Sequence, residues 1–165
     1  MKLSKQEACC FFRLGLATAL IDRQSLVEWA DRTLLTSQRI EPEIIELALC
    51  GRLPYSQIIW QLNHYQVGAE IEQPLKLLLA LAGEQLDERP EQAAEILQSL
   101  CLLNAEAYLP NEIRRSLQSM QKGWLAQNRP RTLPPGLNKK LVRLLKPYQV
   151  FCEPLAILLS GQIAE

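Results

Sequence analysis

The sequence predicts an all-α protein of eight or nine helices, and three observations support this prediction. No segment of the 165-residue chain shows the strict apolar–polar alternation of a half-buried strand. Prolines repeatedly precede segments with helical apolar spacing, and proline suits the first helical turn because an N–H there has no partner. Glycines close several of these segments, as they do at many helix C-termini. The prolines are Pro42, Pro54, Pro74, Pro90, Pro110, Pro135 and Pro154, and the glycines are Gly51, Gly68 and Gly83.

The first four helices follow from apolar spacing and from the residues that begin them. We expect the first helix over about 4–20 and the second over about 23–37, with Asp22 capping the second. The third is predicted over about 42–50 and the fourth over about 54–65, each beginning at or beside a proline. The inner face of the second helix should carry Leu26, Trp29, Ala30 and Thr33.

The remaining helices follow the later prolines. The fifth, over about 72–83, is apolar nearly all round, which places it at the centre of the core. The sixth is predicted over about 90–106, the seventh over about 110–127 and the eighth over about 135–146, with a short last helix from Pro154 to about Ile163. Helix pairs joined by short loops favour an irregular stack of helical hairpins, either HEAT-like or an orthogonal bundle. The prolines have no fixed period, so no regular solenoid is predicted.

A proline-rich stretch divides the predicted organisation. A chain of this length is expected to form one domain with a sizeable core. Residues 127–136 contain three prolines and a glycine, which is typical of an exposed connection. The prediction is an acidic helical body over 1–126, this connection, and a basic C-terminal helical lobe over 137–165, docked in the same domain.

Charge is distributed unevenly along a chain that is neutral as a whole. There are 18 basic and 18 acidic residues, but residues 1–112 hold nine basic against 16 acidic ones. From Ile113 to Cys152 there are nine Lys and Arg residues and no acid. Such asymmetry bears on partners rather than on fold. The nine are Arg114, Arg115, Lys122, Arg129, Arg131, Lys139, Lys140, Arg143 and Lys146.

Helical spacing places these charges on faces separate from the apolar ones. In the seventh helix the apolar stripe consists of Ile113, Leu117, Met120 and Trp124. In the eighth helix the apolar side consists of Leu137, Leu141, Leu144, Leu145 and Tyr148. Lys139, Arg143 and Lys146 line up on the other side of the eighth helix. Both helices are therefore predicted to be amphipathic with a basic polar side.

Two interpretations of the basic faces stay open. In the first, the basic faces are solvated or are neutralised by an acidic run of the body, and such exposed ion pairs stabilise a protein little. This acidic run consists of Glu84, Asp87, Glu88, Glu91 and Glu95. In the second interpretation, all nine basic residues form a binding surface for an anionic partner. We favour a protein with an acidic surface, with nucleic acid as the alternative through phosphate contacts. The acidic and basic parts of two copies can also pair, which would make a homo-oligomer.

Motifs for catalysis are missing from the sequence. His64 is the only histidine, and spacing supplies no nucleophile or carboxylate partner for it. Carboxylates share helix faces at Glu28 and Asp31 and at Glu43 and Glu46, but helical di-metal sites also need two histidines. No phosphate-binding or nucleophile-elbow motif is present. We therefore expect a non-enzymatic protein with no catalytic residue, cofactor or metal site.

Cysteine usage and hydropathy favour a cytoplasmic protein. The five cysteines lack C-x-x-C spacing and mostly stand among apolar neighbours, as buried free thiols do in a reducing compartment. The adjacent pair Cys9 and Cys10 has only Arg13 nearby as a source of activation. The N-terminus is a poor secretory signal, and no apolar stretch is long enough for a membrane span.

Aromatic residues in the first half of the chain have a structural and a functional interpretation. Trp29 and Trp60 are expected in the core. Tyr55, Trp60 and Tyr65 lie on the same or adjacent turns, so an exposed cluster there would be a second contact surface.

A resemblance covers residues 14–51. It rests on Leu14-Gly15-Leu16, on the run from Leu26 to Asp31, and on the run from Pro42 to Leu49. This stretch resembles the opening of small all-helical bacterial proteins of uncharacterised function, some of which are thought to act as immunity or adaptor proteins. The resemblance implies a bacterial, non-enzymatic binding protein and supplies no catalytic residues.

Overall fold

The computed structural model describes residues 2–39, 41–128 and 131–164, and the regular elements within these ranges are all helical. The predicted all-α class is confirmed, as is the number of helices, with nine α-helices in the described residues. They are α1 Lys5–Ala17, α2 Arg23–Thr36, α3 Pro42–Ala48, α4 Tyr55–Tyr65, α5 Glu72–Glu88, α6 Ala93–Glu106, α7 Asn111–Ala126, α8 Pro135–Leu145 and α9 Cys152–Leu159. Short 3-10 segments lie at Cys50–Arg52, Pro90–Gln92 and Lys146–Phe151.

The first two helices begin with side-chain caps. The Asp22 carboxylate accepts a hydrogen bond from the Ser25 N–H at 2.8 Å, so the predicted cap of α2 is confirmed. At α1 the Ser4 hydroxyl accepts from the Glu7 N–H at 3.2 Å, and the Glu7 carboxylate accepts from the Ser4 N–H at 2.8 Å. This reciprocal arrangement satisfies two N–H groups that the helix itself leaves without partners.

The core is built around α5 and α1. Helix α5 contacts α1, α6, α8, α9 and the 3-10 segment Lys146–Phe151, as its all-round apolar pattern predicts. Helix α1 also contacts α4 and α6, and its Phe12 ring lies 4.7 Å from the Trp29 ring of α2. The four residues predicted for the inner face of α2 are all buried.

The observed helix bounds differ from the predicted ones at several ends, most at the end of α5. Helix α5 does not end at Gly83 but continues to Glu88, because buried Leu86 prolongs its apolar face. Gly83 instead lies inside the helix, where an added Cβ would stand 3.6 Å from the Cβ of Leu145. The last helix begins at Cys152 rather than Pro154, and the unpredicted 3-10 segment precedes it.

The C-terminal segment returns to the start of the chain. The Ala164 N–H donates to the Leu3 carbonyl at 2.7 Å, and the Arg32 guanidinium of α2 donates to the Leu159 carbonyl at 2.9 Å. Helix α8 contacts α5, α6 and α7. Leu133, within the stretch predicted as an exposed connection, is buried. The division into body, connection and lobe stays a prediction.

Membrane-spanning helices are not found in the described residues, since none combines sufficient length with sufficient apolar character.

Candidate functional site

Helices α7 and α8 form a hairpin whose apolar sides face the core. The predicted stripe of α7 is confirmed, because its four residues are all buried. On α8, Leu141 and Leu145 are buried, while Leu137 and Leu144 are half-buried. An added Cβ on Gly123 would stand 3.4 Å from Cδ2 of Leu137, so the helices lie close together next to their connection.

A groove of about 610 Å³ lies between the two helices beyond this close contact. Arg115 of α7 and Lys140 and Arg143 of α8 line it, so cations lie on both walls. Apolar side chains line it as well, among them Met120 and Leu144. The groove thus combines apolar surface with positive charge.

Short side chains on α7 leave this space open. Ser116 and Ser119 line the groove at helical positions i and i+3, where longer residues would reach towards α8. Nearer the connection, Leu137 of α8 lies beside Gly123, so the helices are in contact there. The two helices are therefore in contact near the connection and separated by the groove beyond it.

The far end of the groove is less basic. Glu112 and Tyr148 both line it there. Burial raises the pKa of the Tyr148 hydroxyl, the negative charge of Glu112 adds to this, and Lys76 acts in the opposite direction. The Tyr148 ring stacks with Phe151 at 6.4 Å. The end near Tyr148 therefore presents a neutral hydroxyl beside a carboxylate.

The structure separates the nine predicted residues into groups. Arg115, Lys140 and Arg143 line the groove. Arg114 is half-buried and donates to the side chain of Asn111. Four residues are exposed but do not line the groove, and these are Lys122, Arg131, Lys139 and Lys146. Arg129 lies outside the described residues.

Carboxylates do not pair with the groove cations within the ranges that the structure describes. The ion pairs found there use Lys5, Arg13, Arg32 and Lys76. The acidic run of α5 instead faces the segment after α8, where the Gln149 side chain donates to Asp87 at 3.1 Å. Glu84 of the same acidic run interacts with Cys152, also in the segment after α8. Burial and the hydrogen bond to Glu84 raise the pKa of the Cys152 thiol to about 11. The positive side chains of the groove are thus available to a partner.

The candidate catalytic and metal-binding residues of the sequence do not line this groove. His64 stacks on Trp60, with ring centroids 6.1 Å apart. The expectation that Trp60 is a core residue was wrong, because 69% of it is exposed, whereas Trp29 is fully buried. Burial and a hydrogen bond to Glu46 raise the pKa of the Tyr65 hydroxyl. No group of three His, Cys, Asp or Glu side chains in the described ranges is placed to hold a metal.

The thiols are free and shielded. Cys9, Cys10 and Cys50 are buried, and Cys101 and Cys152 are half-buried. Burial raises the pKa of Cys9 to about 12 and that of Cys101 to about 11. A raised pKa keeps a thiol in its unreactive protonated form at neutral pH.

Several groove residues were not singled out from the sequence. They are Glu112, Ser116, Ser119 and Pro147. A signal exists on α7, because Glu112, Ser116 and Ser119 follow the i, i+4, i+7 spacing of one helix face. Two serines on the face that also carries Arg115 were the sign of a space beside the cations.

Comparison with known proteins gives no relative: no family model, no curated protein and no solved structure matches the chain.

Proposed function

We propose that the protein is a non-enzymatic interaction protein that binds an acidic protein partner through the basic faces of α7 and α8. The observation that supports this most directly is the placement of Arg115, Lys140 and Arg143 around one groove, with no carboxylate paired to them in the described residues. The role agrees with the adaptor or immunity function implied by the resemblance of residues 14–51. Five free thiols support a cytoplasmic setting.

Electrostatic complementarity would give such a surface its specificity. A single exposed ion pair stabilises a complex little, about 0–1 kcal/mol. Several like charges on one face act together, because they accelerate encounter with an acidic surface and disfavour basic ones. The local excess of cations therefore selects partners by charge.

An acidic protein suits this surface better than nucleic acid. Binding of unpaired bases relies on exposed aromatic rings on which the bases stack. Trp124 is buried, and among the described groove-lining residues only Tyr148 is aromatic, half-buried and with its ring stacked on Phe151. The apolar surface that half-buried Leu144 presents in the groove instead suits protein side chains.

Fluorescence anisotropy with defined probes tests the proposal. A labelled polyglutamate peptide should bind the wild-type protein at low salt and dissociate as salt is added. The double variant Lys140→Glu/Arg143→Glu should bind about tenfold more weakly, because two favourable charge contacts become repulsive. The control Arg39→Glu/Arg52→Glu changes the net charge equally at exposed positions that do not line the groove and should bind like wild type.

Two outcomes would contradict the proposal. Equal weakening in both double variants would show that only net charge matters. Tighter binding of a labelled single-stranded oligonucleotide than of polyglutamate, with loss in Lys140→Glu/Arg143→Glu, would replace the protein partner by nucleic acid.

A further inference from the structure

We propose that the groove between α7 and α8 takes an acidic amphipathic helix of the protein partner, with its apolar face in the groove and its carboxylates on the basic walls. This inference rests on the proposed function and deepens it, since it assigns the site within the basic surface and the form of the ligand.

The apolar groove residues argue against a purely ionic ligand. Met120 is 2% exposed, so only a small part of it meets the ligand, whereas Leu144 and Tyr148 are half-buried and present more surface. A ligand that met only the cations would leave these side chains in water. Apolar side chains on the ligand would remove that surface from water, which favours association.

The cations are arranged for a ligand with two acidic flanks. Arg115 lies on the α7 wall, whereas Lys140 and Arg143 lie on the α8 wall. A helix in the groove has its apolar stripe between two polar flanks, and carboxylates on those flanks would meet both walls. Glu112 disfavours carboxylates at the end near Tyr148, so the ligand's acids should concentrate towards Lys140 and Arg143.

The neighbouring elements favour a helical ligand. Two helices border the groove, and a third helix with apolar residues at i, i+3, i+4 and i+7 packs naturally between two others. A ligand that binds by adding a strand would need a free strand edge, and the described residues contain no strand. Side-chain packing is thus the form of recognition that this groove offers.

Two synthetic peptides of identical composition test the inference. Both contain the same Glu and Leu residues, but only one has the leucines at helical i, i+3, i+4 and i+7 spacing. Anisotropy should show that the amphipathic peptide binds about tenfold or more tightly than the scrambled one, because its leucines are buried together. Circular dichroism should show that the amphipathic peptide gains helix when it binds.

Variants that fill the groove without changing charge test whether the amphipathic peptide binds in the groove itself. Ser116→Trp should abolish the preference for the amphipathic peptide, while Gln118→Trp, on an exposed position of the same helix, should keep it. Ser119→Trp is a second groove-filling variant at an exposed position, so the test remains if Ser116→Trp fails to fold.

The outcomes separate this inference from the proposed function. If both peptides bind equally and both weaken in Lys140→Glu/Arg143→Glu, the helix-in-groove inference is wrong and the basic binding surface stands. An amphipathic preference that persists in folded Ser116→Trp and Ser119→Trp also overturns the inference. If neither peptide binds, both the inference and the proposed function fail.

Discussion

Gly123 of α7 lies against Leu137 of α8, so that a Cβ added to the glycine would stand 3.4 Å from Cδ2 of the leucine. This contact holds the two helices together beside their connection. Further along α7, Ser116 and Ser119 line the groove. The open space therefore begins where the close contact ends, and it is bordered by cations on both helices.

Replacement of Gly123 by alanine should stabilise the protein. The new methyl group would meet Leu137 at ordinary contact distance, and alanine is favoured over glycine inside a helix by about 0.8–1 kcal/mol. Denaturant unfolding should show a gain of that order.

Gly161→Ala is the contrasting variant, because Gly161 has φ +86° and an added Cβ would stand 2.6 Å from the Arg32 backbone. It should cost about 2 kcal/mol or more, since the left-handed conformation alone costs roughly 1–2 kcal/mol. Equal effects in the two variants would contradict the packing described.

The two tryptophans should differ sharply in their effect on stability. Trp29→Ala should destabilise the protein by about 3–5 kcal/mol, because it empties a fully buried site beside Phe12. Trp60→Ala should change the free energy of unfolding by about 0.5 kcal/mol or less, since Trp60 is largely exposed. Trp29→Phe should cost less than Trp29→Ala, because phenylalanine leaves a smaller cavity and the indole N–H that is removed has no acceptor among the described residues. A large loss in Trp60→Ala would mean that this side chain is covered.

The Asp22 cap should make stability depend on pH. Hydrogen bonds from the backbone and hydroxyl of Ser25 lower the pKa of the Asp22 carboxyl. A lowered folded-state pKa stabilises the protein above the ordinary carboxyl pKa, and this contribution is lost as pH falls through the lowered value. Asp22→Ala should cost about 1 kcal/mol at pH 7, and the cost should shrink below about pH 4. Asp22→Asn is the control, because asparagine caps helices without titrating. A cost that stays constant down to low pH would exclude the carboxylate as its source.

Thiol labelling should be slow in the folded protein. Burial raises the pKa of Cys9 to about 12 and that of Cys101 to about 11, and most of each thiol is therefore protonated at pH 7.5. A disulfide reagent should label all five cysteines rapidly in denaturant and only slowly in buffer. Rapid labelling of Cys9 or Cys10 in the native protein would indicate an activated thiol, contrary to the structure.

Helical faces were predictable wherever burial follows local periodicity. The α7 stripe and the Asp22 cap depend on neighbours one or two turns away, so spacing was sufficient to predict them. Trp60 was predicted as a core residue, yet the buried residues of α4 are Ile58, Gln61 and Leu62, and Trp60 falls on the opposite side. Periodicity was the better guide there.

Features that depend on the separation of two helices were not predictable. The groove exists because α7 and α8 are close at Gly123 and apart at Ser116, and no property of either helix alone determines this. Gly83 was misjudged for a similar reason. It lies inside α5 beside Leu145 of α8, a contact between residues far apart in the chain.

The most direct test of the proposed binding surface compares two double charge reversals, one within α8 and one that combines a residue of α8 with the residue directly after it. Lys140→Glu/Arg143→Glu changes the groove walls, while Lys139→Glu/Lys146→Glu changes exposed residues that do not line the groove. Both variants alter net charge equally, so nonspecific electrostatics affects them alike. We predict that the groove pair weakens anisotropy-measured binding of the acidic amphipathic peptide about tenfold more than the other pair, because only the groove pair contacts the ligand directly. Equal weakening by the two pairs would contradict the assignment of the groove as the binding site.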